Sequence, residues 1–539
     1  MRDDTLDPAI AAARTYKGEA DYGAHLTHDN FRDLIDARNG GALFCAHYSG
    51  ARKIRDWSFA AFSNAARSLA HRLSDEFNVQ PGDRVMVALG NRDAAIIAYA
   101  ALWGMGATAV LINPAELGDF GAFVSETSGA RGVILAPNQS EHAPDGLFTL
   151  ELDGKELVDT AAPDWPHAAP ARETPAVLIY TSGTTGRCKG VVLDQGNLLI
   201  NAEATRRLHQ LEPGAAHMCV LPMFHVNAMD FSFVTSLYAE CKLVLNRSFY
   251  PSAFWDIARA ENAEIVSMAP AAIRRLTEDK REIGKDAVPD SLRYVTSASA
   301  PLSRELLKVF MDRFGVPIHQ AYGLSETVNF SLAIPGDIPD AAYRAALLDA
   351  ERPSAGQAVF GNEIMVTDDA GAPLPEGEIG EVRIRGWNVM RGYDRAPEAN
   401  ADAFADGWFR TGDRGYWRDL EGRRFYFLAG RLKEIVKRHG QTISLLDIDE
   451  ALGREGWRDV VAVGFPNTHA EEEIGLFVLG EESEAARQSL TTALENALPS
   501  KRRPSVIVFG DAIPQTSTGK IQRRALIPKF EAYAESRLS

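Results

Sequence analysis

The sequence predicts an α/β protein: parallel sheets flanked by helices over the first three-quarters, and a separate α+β domain at the end. The first observation is alternation. Short apolar, β-rich runs recur at 84–89 (RVMVAL), 108–113 (TAVLIN), 132–136 (GVILA), 176–181 (AVLIYT), 239–245 (AECKLVL), 263–270 (AEIVSMAP) and 292–299 (LRYVTSAS), with helical stretches between them. Strands that alternate with helices pair in parallel, because each crossover needs a helix to return the chain. The second observation is a change of texture. From about Gly356 the strands are punctuated by Gly and Pro (NEIMVTD, GEVRIRG, GRRFYFLAG), which predicts a smaller, twisted β-subdomain. After GRLKEIVKRHG (430–440) the tail reads helix (445–453), strand (459–465), strand (474–480), helix (486–498), strand (505–510). The boundary is expected at 430–433, between domains 1–429 and 434–539. A length of 539 residues, against roughly 150 per domain, agrees with more than one core.

Composition narrows the function classes. The chain is 45% hydrophobic and 24% charged, with 73 acidic against 57 basic residues and a formal net charge of −16. Such a surface repels nucleic acid and anionic lipid, so any polyanion must be met by a local site. Residues 431–539 carry 15 basic and 16 acidic side chains, so nearly all the acidity lies upstream and the tail is more welcoming to phosphate. The four cysteines (Cys45, Cys188, Cys219, Cys241) form no C-x-x-C pair, which removes disulfide-framework, zinc and thioredoxin readings. The first 23 residues lack the apolar core of a secretory signal, and a cytoplasmic location is the expectation. Ala94 to Ile112 is 19 residues without a charge. Its Gly104 and Gly106 predict a buried helix–turn–strand rather than a membrane span. Gly104, Gly106 and Ala109 fit G-x-G-x-x-A, but they follow an apolar helix rather than a strand, so a dinucleotide-binding reading is rejected.

The strongest chemical signal is Ile179 to Gly190, IYTSGTTGRCKG, directly after an apolar strand. Three glycines and four hydroxyl side chains suit a loop that wraps a polyphosphate. Glycine lets backbone N–H groups approach the oxygens, hydroxyls donate to them, and Lys189 supplies charge. The spacing is not that of a Walker A loop, because Lys189 is followed by Gly rather than Ser or Thr.

This loop resembles that of the adenylate-forming superfamily of acyl- and aryl-CoA synthetases, adenylation domains and beetle luciferases. Further elements follow in that family's order: Pro222-Met-Phe-His225, Gln320-Ala-Tyr-Gly-Leu-Ser-Glu-Thr327, Trp408-Phe-Arg-Thr-Gly-Asp413, Gly430-Arg-Leu-Lys-Glu434 and Pro514-Gln-Thr-Ser-Thr-Gly-Lys520. The resemblance covers nearly the whole chain. It implies a large N-terminal domain of two α/β subdomains plus a distorted β-barrel, and a small mobile α+β C-terminal domain. It also implies a reaction in which a carboxylate attacks the α-phosphorus of ATP, releasing pyrophosphate, before a thiol takes the acyl group.

Residue by residue, the resemblance assigns Thr181, Ser182, Gly183, Thr184, Thr185, Gly186 and Lys189 to the phosphates, with Ser325 beside them. Glu326 would ligate Mg²⁺, a hard cation suited to a carboxylate plus phosphate oxygens. Tyr322 and Gly323 would face the adenine, Asp413 would accept from the ribose hydroxyls, and Arg431 would help hold the nucleotide. Lys520 would offset the charge that builds as the two anions meet. Lys433 matches the hinge on which the C-terminal domain (residues 434–539) swings, presenting Gly440 to the thiol channel. His225 matches a position between the acyl and thiol channels. The acyl pocket would be lined by His225, Asn227, Ala228, Ala298, Ser299, Ala321 and Gly323.

The chain departs from the pattern in places. Cys188 stands where the family usually has Pro, and Ala298 and Ser299 where Gly is commoner, which predicts a narrower pocket floor. Asn227 stands where amino-acid activators carry Asp, so the expected substrate is a small to medium carboxylic acid with an uncharged tail, aromatic tails included; Asp230, three residues on, is the other alignment. Segment 335–352 is an extra loop without an assigned role. Free CoA is the expected acceptor, with the phosphopantetheine arm of an acyl carrier protein as the alternative. A nucleotide-binding scaffold without catalysis is the reading from another class. No nucleic-acid partner and no stable membrane insertion are expected.

Overall fold

A computed structural model describes residues 6–158, 164–181, 188–281, 283–438, 441–516 and 521–538. The chain divides into two units: Met1–Ile364 with Arg383–Arg410, and Met365–Val382 with Thr411–Ser539.

In the first unit the apolar runs form two mostly parallel sheets. One has seven strands in the order Gly392–Tyr393, Lys189–Asp194, Pro175–Thr181, Thr108–Leu111, Arg84–Ala88, Gly132–Leu135, Phe148–Glu151. The other has nine, with Ile318–Tyr322, Tyr294–Ser297, Ala263–Met268, Ala216–Cys219, Lys242–Asn246 and Leu43–Ser49 parallel at its centre. Central strands such as Thr108–Leu111 and Gly132–Leu135 are buried on both faces, the pattern of a sheet covered by helices. The apolar stretch 94–112 resolves into the helix Asp93–Gly104, the turn at Gly106 (φ +82°) and the strand Thr108–Leu111. Every residue of that helix is buried, and among the described residues no helix is long and apolar enough to cross a membrane.

Asn91 and Asp93 join the two sheets. Asn91 donates to the carbonyls of Leu221 (2.7 Å) and Asn246 (3.0 Å) and accepts from the Met223 amide (2.7 Å). Asp93, at the start of the buried helix, accepts from Trp57 Nε1 at 2.9 Å, pairs with Arg55, and lies 3.4 Å from His47 Nδ1. Burial alone would raise the Asp93 carboxyl. The hydrogen bonds and charges of His47, Trp57 and Arg55 outweigh it and hold the group below its usual value. Gly90 turns the chain into this junction with φ +59°.

The second unit holds a hairpin, in which Asp413–Leu420 pairs with Arg423–Arg431. It also holds a sheet built from Ile435–Arg438, Gln441–Ser444, Val460–Asn467, Glu471–Leu479 and Val506–Gly510. The helices Leu445–Arg454 and Glu484–Ala497 close one core with Ile448, Leu452, Leu476 and Leu490.

A layer of buried histidines lies under the nine-stranded sheet. His217 meets Phe231 edge-on at 4.6 Å, His319 stacks on Tyr294 at 4.0 Å, and His209 Nδ1 lies 2.7 Å from the Tyr294 hydroxyl. Burial lowers His217 and His319 to about 3 and His209 well below its usual value. These rings stay neutral in the fold but take up protons when unfolded, near pH 6.5. Their stabilising contribution is therefore complete above about pH 6.5 and declines as the pH falls towards their folded values. Denaturant titrations from pH 7 to 4 should show stability falling with acidity. His217→Leu should flatten that slope by about 1.4 kcal/mol per pH unit; an unchanged slope would show that His217 does not stay neutral in the fold.

Candidate active site

Parallel strands deliver their carboxyl ends to one edge, where ligands of open α/β sheets bind. At this edge the strand Ile318–Tyr322 leads into the loop Gly323–Ser331. The loop folds back tightly, with the Ser331 amide donating to the Tyr322 carbonyl at 3.0 Å. Gly323 is required by this return, because a Cβ there would stand 1.4 Å from the Asn329 carbonyl oxygen. Ser325–Thr327 make one 3₁₀ turn. Val328 then adopts φ +63°, ψ −65°, and the Asn329 amide donates across it to the Thr327 carbonyl at 2.7 Å. A β-branched residue with positive φ is strained and persists only when its surroundings over-determine it. Here they do: Val328 is fully buried, and Asn388 Nδ2 donates to the Thr327 carbonyl at 2.9 Å.

Glu326 is held at two points. Its carbonyl accepts from the Met390 amide at 2.8 Å, and its Oε1 accepts from the Tyr393 hydroxyl at 2.9 Å. Burial and this negative neighbour push the Tyr393 hydroxyl far above its usual value, so it remains a donor. Tyr393 lies in the edge strand that pairs with Lys189–Asp194, and the Lys189 ammonium sits over its ring at 4.6 Å from the centroid. Lys189 is in turn the register partner of Thr181 across the two strands that bracket the glycine-rich loop. One aromatic residue thus connects the stem of that loop to Glu326. Ser182, Gly183, Thr184, Thr185 and Gly186 lie outside the described residues.

On the same edge, His225 precedes a π-helix, Asn227–Val234, and its carbonyl accepts from the Ala228 (3.1 Å) and Met229 (2.9 Å) amides. Desolvation lowers the His225 ring to about 4, so it is neutral at pH 7. Asn91 holds the segment leading to it, through Leu221 and Met223. Asn227 Oδ1 accepts from Ser267 Oγ at 2.8 Å, while its buried Nδ2 has no hydrogen-bond partner among the described residues. Ala228, Ala298 and Ala321 are buried, and the latter two pack with Phe231 and Phe330. Ser299 is exposed with φ +74°, a conformation glycine takes more readily. Desolvation raises the buried Asp230 carboxyl well above its usual value, which disfavours its charged form.

In the second unit, Asp413 and Arg431 are register partners in the hairpin, with Arg431 Nε 3.1 Å from Asp413 Oδ1. Thr411 Oγ1 donates to the Val382 carbonyl (2.6 Å) and accepts from the Asp413 amide (3.0 Å). Lys433 is exposed in the turn that follows. Gly440 and Lys520 lie outside the described residues. Sequence reasoning missed Tyr393, Asn91 and Ser267; a Gly-Tyr pair, a turn Asn and a strand Ser carry no signal until the fold places their partners.

Gly323→Ala should lower the unfolding free energy by about 3 kcal/mol or more, since backbone must move to admit the methyl. Chemical denaturation of the two proteins checks this, and a difference under about 0.5 kcal/mol would contradict the packing described for the loop.

The chain is similar to known proteins along most of its length. The sulfoacetate–CoA ligase of Cupriavidus necator is 33% identical over 435 residues, which span 78% of this chain and 81% of that one. The oxalate–CoA ligase of Arabidopsis thaliana is 28% identical over 86% of this chain and 91% of its own. The ATP-bound MatB of Rhodopseudomonas palustris superposes with a TM-score of 0.79 at 24% identity, over 94% of this chain and 100% of that one, and so shares its fold. The profile of AMP-binding enzymes matches residues 38–394, and the chain belongs to that family.

Proposed function

We propose that this protein is an AMP-forming acid–CoA ligase acting on a short carboxylic acid whose tail carries oxygen. The observation that supports it best is the Lys189–Tyr393–Glu326 connection, which sets a carboxylate beside the stem of a phosphate-type loop. Family membership supplies the reaction class, and the two relatives, both named as CoA ligases, favour CoA over a carrier protein as acceptor.

In the first half-reaction a carboxylate oxygen of the acid attacks the α-phosphorus of ATP, and pyrophosphate leaves with the bonding electrons. In the second, the CoA sulfur attacks the acyl carbonyl carbon and AMP leaves. Both reactants of the first step are anions, so the site must offset charge and hold them in line. Thr181, Lys189 and Ser325 would hold phosphate oxygens, Tyr322 would stack on the adenine, and Asp413 with Arg431 would hold the ribose side of the nucleotide. Lys520 would bridge the acid and the α-phosphate as charge builds. Lys433 would serve as the hinge, and neutral His225 would stand at the pocket without adding charge.

A magnesium ion fits the donor set. Glu326 presents a carboxylate, and among the described residues no group of three or more His, Cys, Asp or Glu side chains could cage a metal. That suits an ion taking one carboxylate, with phosphate oxygens and water completing its shell. When bound it would neutralise phosphate charge and so favour departure of pyrophosphate.

The acid's character follows from what the pocket leaves unpaired. Ser267, Thr296 and His319 are successive register partners on three adjacent strands, so their side chains share one face. On that face Asn227 Nδ2 and Thr296 Oγ1 are buried without partners among the described residues. A buried donor without an acceptor costs about 1–3 kcal/mol, which a ligand oxygen would recover. Sulfoacetate and oxalate, the acids in the relatives' names, also carry oxygens beside the reacting carboxylate.

Pyrophosphate release with a panel of acids, with and without CoA, tests the reading. Hydroxy, keto, sulfo and dicarboxylic acids of two to four carbons should outperform alkyl acids of equal length. Lys520→Ala should lower release about 10²- to 10³-fold yet spare thioester formation from supplied acyl-adenylate. Asn227→Ala should lower kcat/KM for the preferred acid about 10- to 100-fold and leave alkyl acids nearly unchanged. Release from no acid, or release indifferent to Lys520, would refute the ligase.

A further inference from the structure

Outside the residues assigned above, the second unit holds a buried charge cluster. Arg523 is surrounded by three partners on three segments. Its Nη2 lies 2.6 Å from Asp449 Oδ2, its Nη1 donates to the Ala462 carbonyl at 2.9 Å, and its Nε donates to Glu434 Oε2 at 3.3 Å. Asp449 closes the group by accepting from the Ala462 amide at 2.7 Å through its other oxygen. Burial would raise the Asp449 carboxyl and lower the Arg523 guanidinium. For Asp449 burial prevails over the opposing charge, and for Arg523 the two carboxylates prevail over burial.

A buried ion pair by itself is weak evidence for stability, since its desolvation offsets its attraction. Its geometry is more telling. Glu434 directly follows Lys433, the hinge residue. Arg523 lies two residues beyond Ile521, and Ile521 pairs with Gln515 in an antiparallel bridge, while the Gln522 amide donates to the Pro514 carbonyl at 2.9 Å. These bonds tie Pro514 and Gln515 to Ile521 and Gln522; residues 517–520 between them lie outside the described residues. In the sequence Lys520 directly precedes Ile521. The rigid fork of an arginine suits three simultaneous partners in a way a lysine ammonium does not.

We propose that Arg523 is a positioning residue for adenylation: it locks the segment Ile521–Arg523, which directly follows Lys520 in the chain, to the segment that leaves the hinge. The inference rests on the ligase reading and on Lys520 serving the first half-reaction only.

The test measures the half-reactions separately, with pyrophosphate release for the first and thioester formation from supplied acyl-adenylate and CoA for the second. Arg523→Lys keeps a cation beside Asp449 but cannot span all three partners. Glu434→Gln removes only the partly exposed carboxylate and leaves the Asp449 pair intact, so at least one variant should fold. Both should lower kcat of the first half-reaction about 10- to 100-fold. KM for ATP and acid, and the second half-reaction, should stay within about twofold. Unchanged adenylation in a folded variant would overturn the proposal. So would a parallel fall in both half-reactions together with the melting temperature, which would mark a merely structural pair. Lys520→Ala separates the two levels: if it leaves the first half-reaction intact, the ligase reading fails whatever Arg523 does.

Discussion

The first unit depends on a short junction, Gly90 to Asp93, at which two sheets are fixed to one another. A buried carboxylate and a buried amide do the fixing, and neither tolerates a missing partner. Asp93 draws Arg55, Trp57 and His47 from one sheet onto a helix that follows a strand of the other. Asn91 reaches the loops after two further strands. Because hydrogen bonds are short and directional, this contact sets where the strand ends of one sheet stand relative to those of the other. The pocket edge and the phosphate edge are thereby held in one frame, although they belong to different sheets.

Within that frame the site is built by constraint on the backbone more than by placement of side chains. Glu326 is pinned at carbonyl and carboxylate by residues of a single later segment, Met390 and Tyr393. The loop that carries it includes a glycine without room for a methyl and a valine held with positive φ. Strain of this kind costs about 1–3 kcal/mol and fixes a carboxylate where a relaxed loop would let it wander. The pocket end is made differently, from the first turn of a π-helix laid over strand residues, and shares none of these contacts. The two ends meet where Phe231 of the π-helix packs 5.0 Å from Phe330 in the Glu326 loop.

How much of this was legible in the sequence depended on the range of the interaction. Strand runs, the helix–turn–strand at 94–112 and the glycine-rich loop are local patterns, and periodicity with turn chemistry reveals them directly. The resemblance supplied Glu326, Asp413 and Arg431, and the hairpin brings the last two together as register partners. Tyr393 escaped notice because its partners, Lys189 and Glu326, lie far away along the chain and meet it only through an edge strand of two residues. Asn91 and Arg523 escaped for the same reason: an Asn after a glycine reads as a turn, and an Arg near a C-terminus reads as solvated surface. Asp230 could be weighed only once its burial was known. Its burial raises the carboxyl well above its usual value, which weighs against the charge partner that the second alignment would make it.

The wholly buried helix Asp93–Gly104 also bears on how the chain is made. Its apolar faces are covered partly by segments that precede it, but the anchors of the adjoining turn, Leu221, Met223 and Asn246, are synthesised much later. At about 5–20 residues per second, the ribosome needs roughly 7–30 s to travel from that helix to Asn246. During that interval a stretch apolar on every side emerges without its final cover. Newly made chains therefore pass through a sticky stage lasting seconds, and the yield of native protein depends on what shields this one helix until the second sheet arrives.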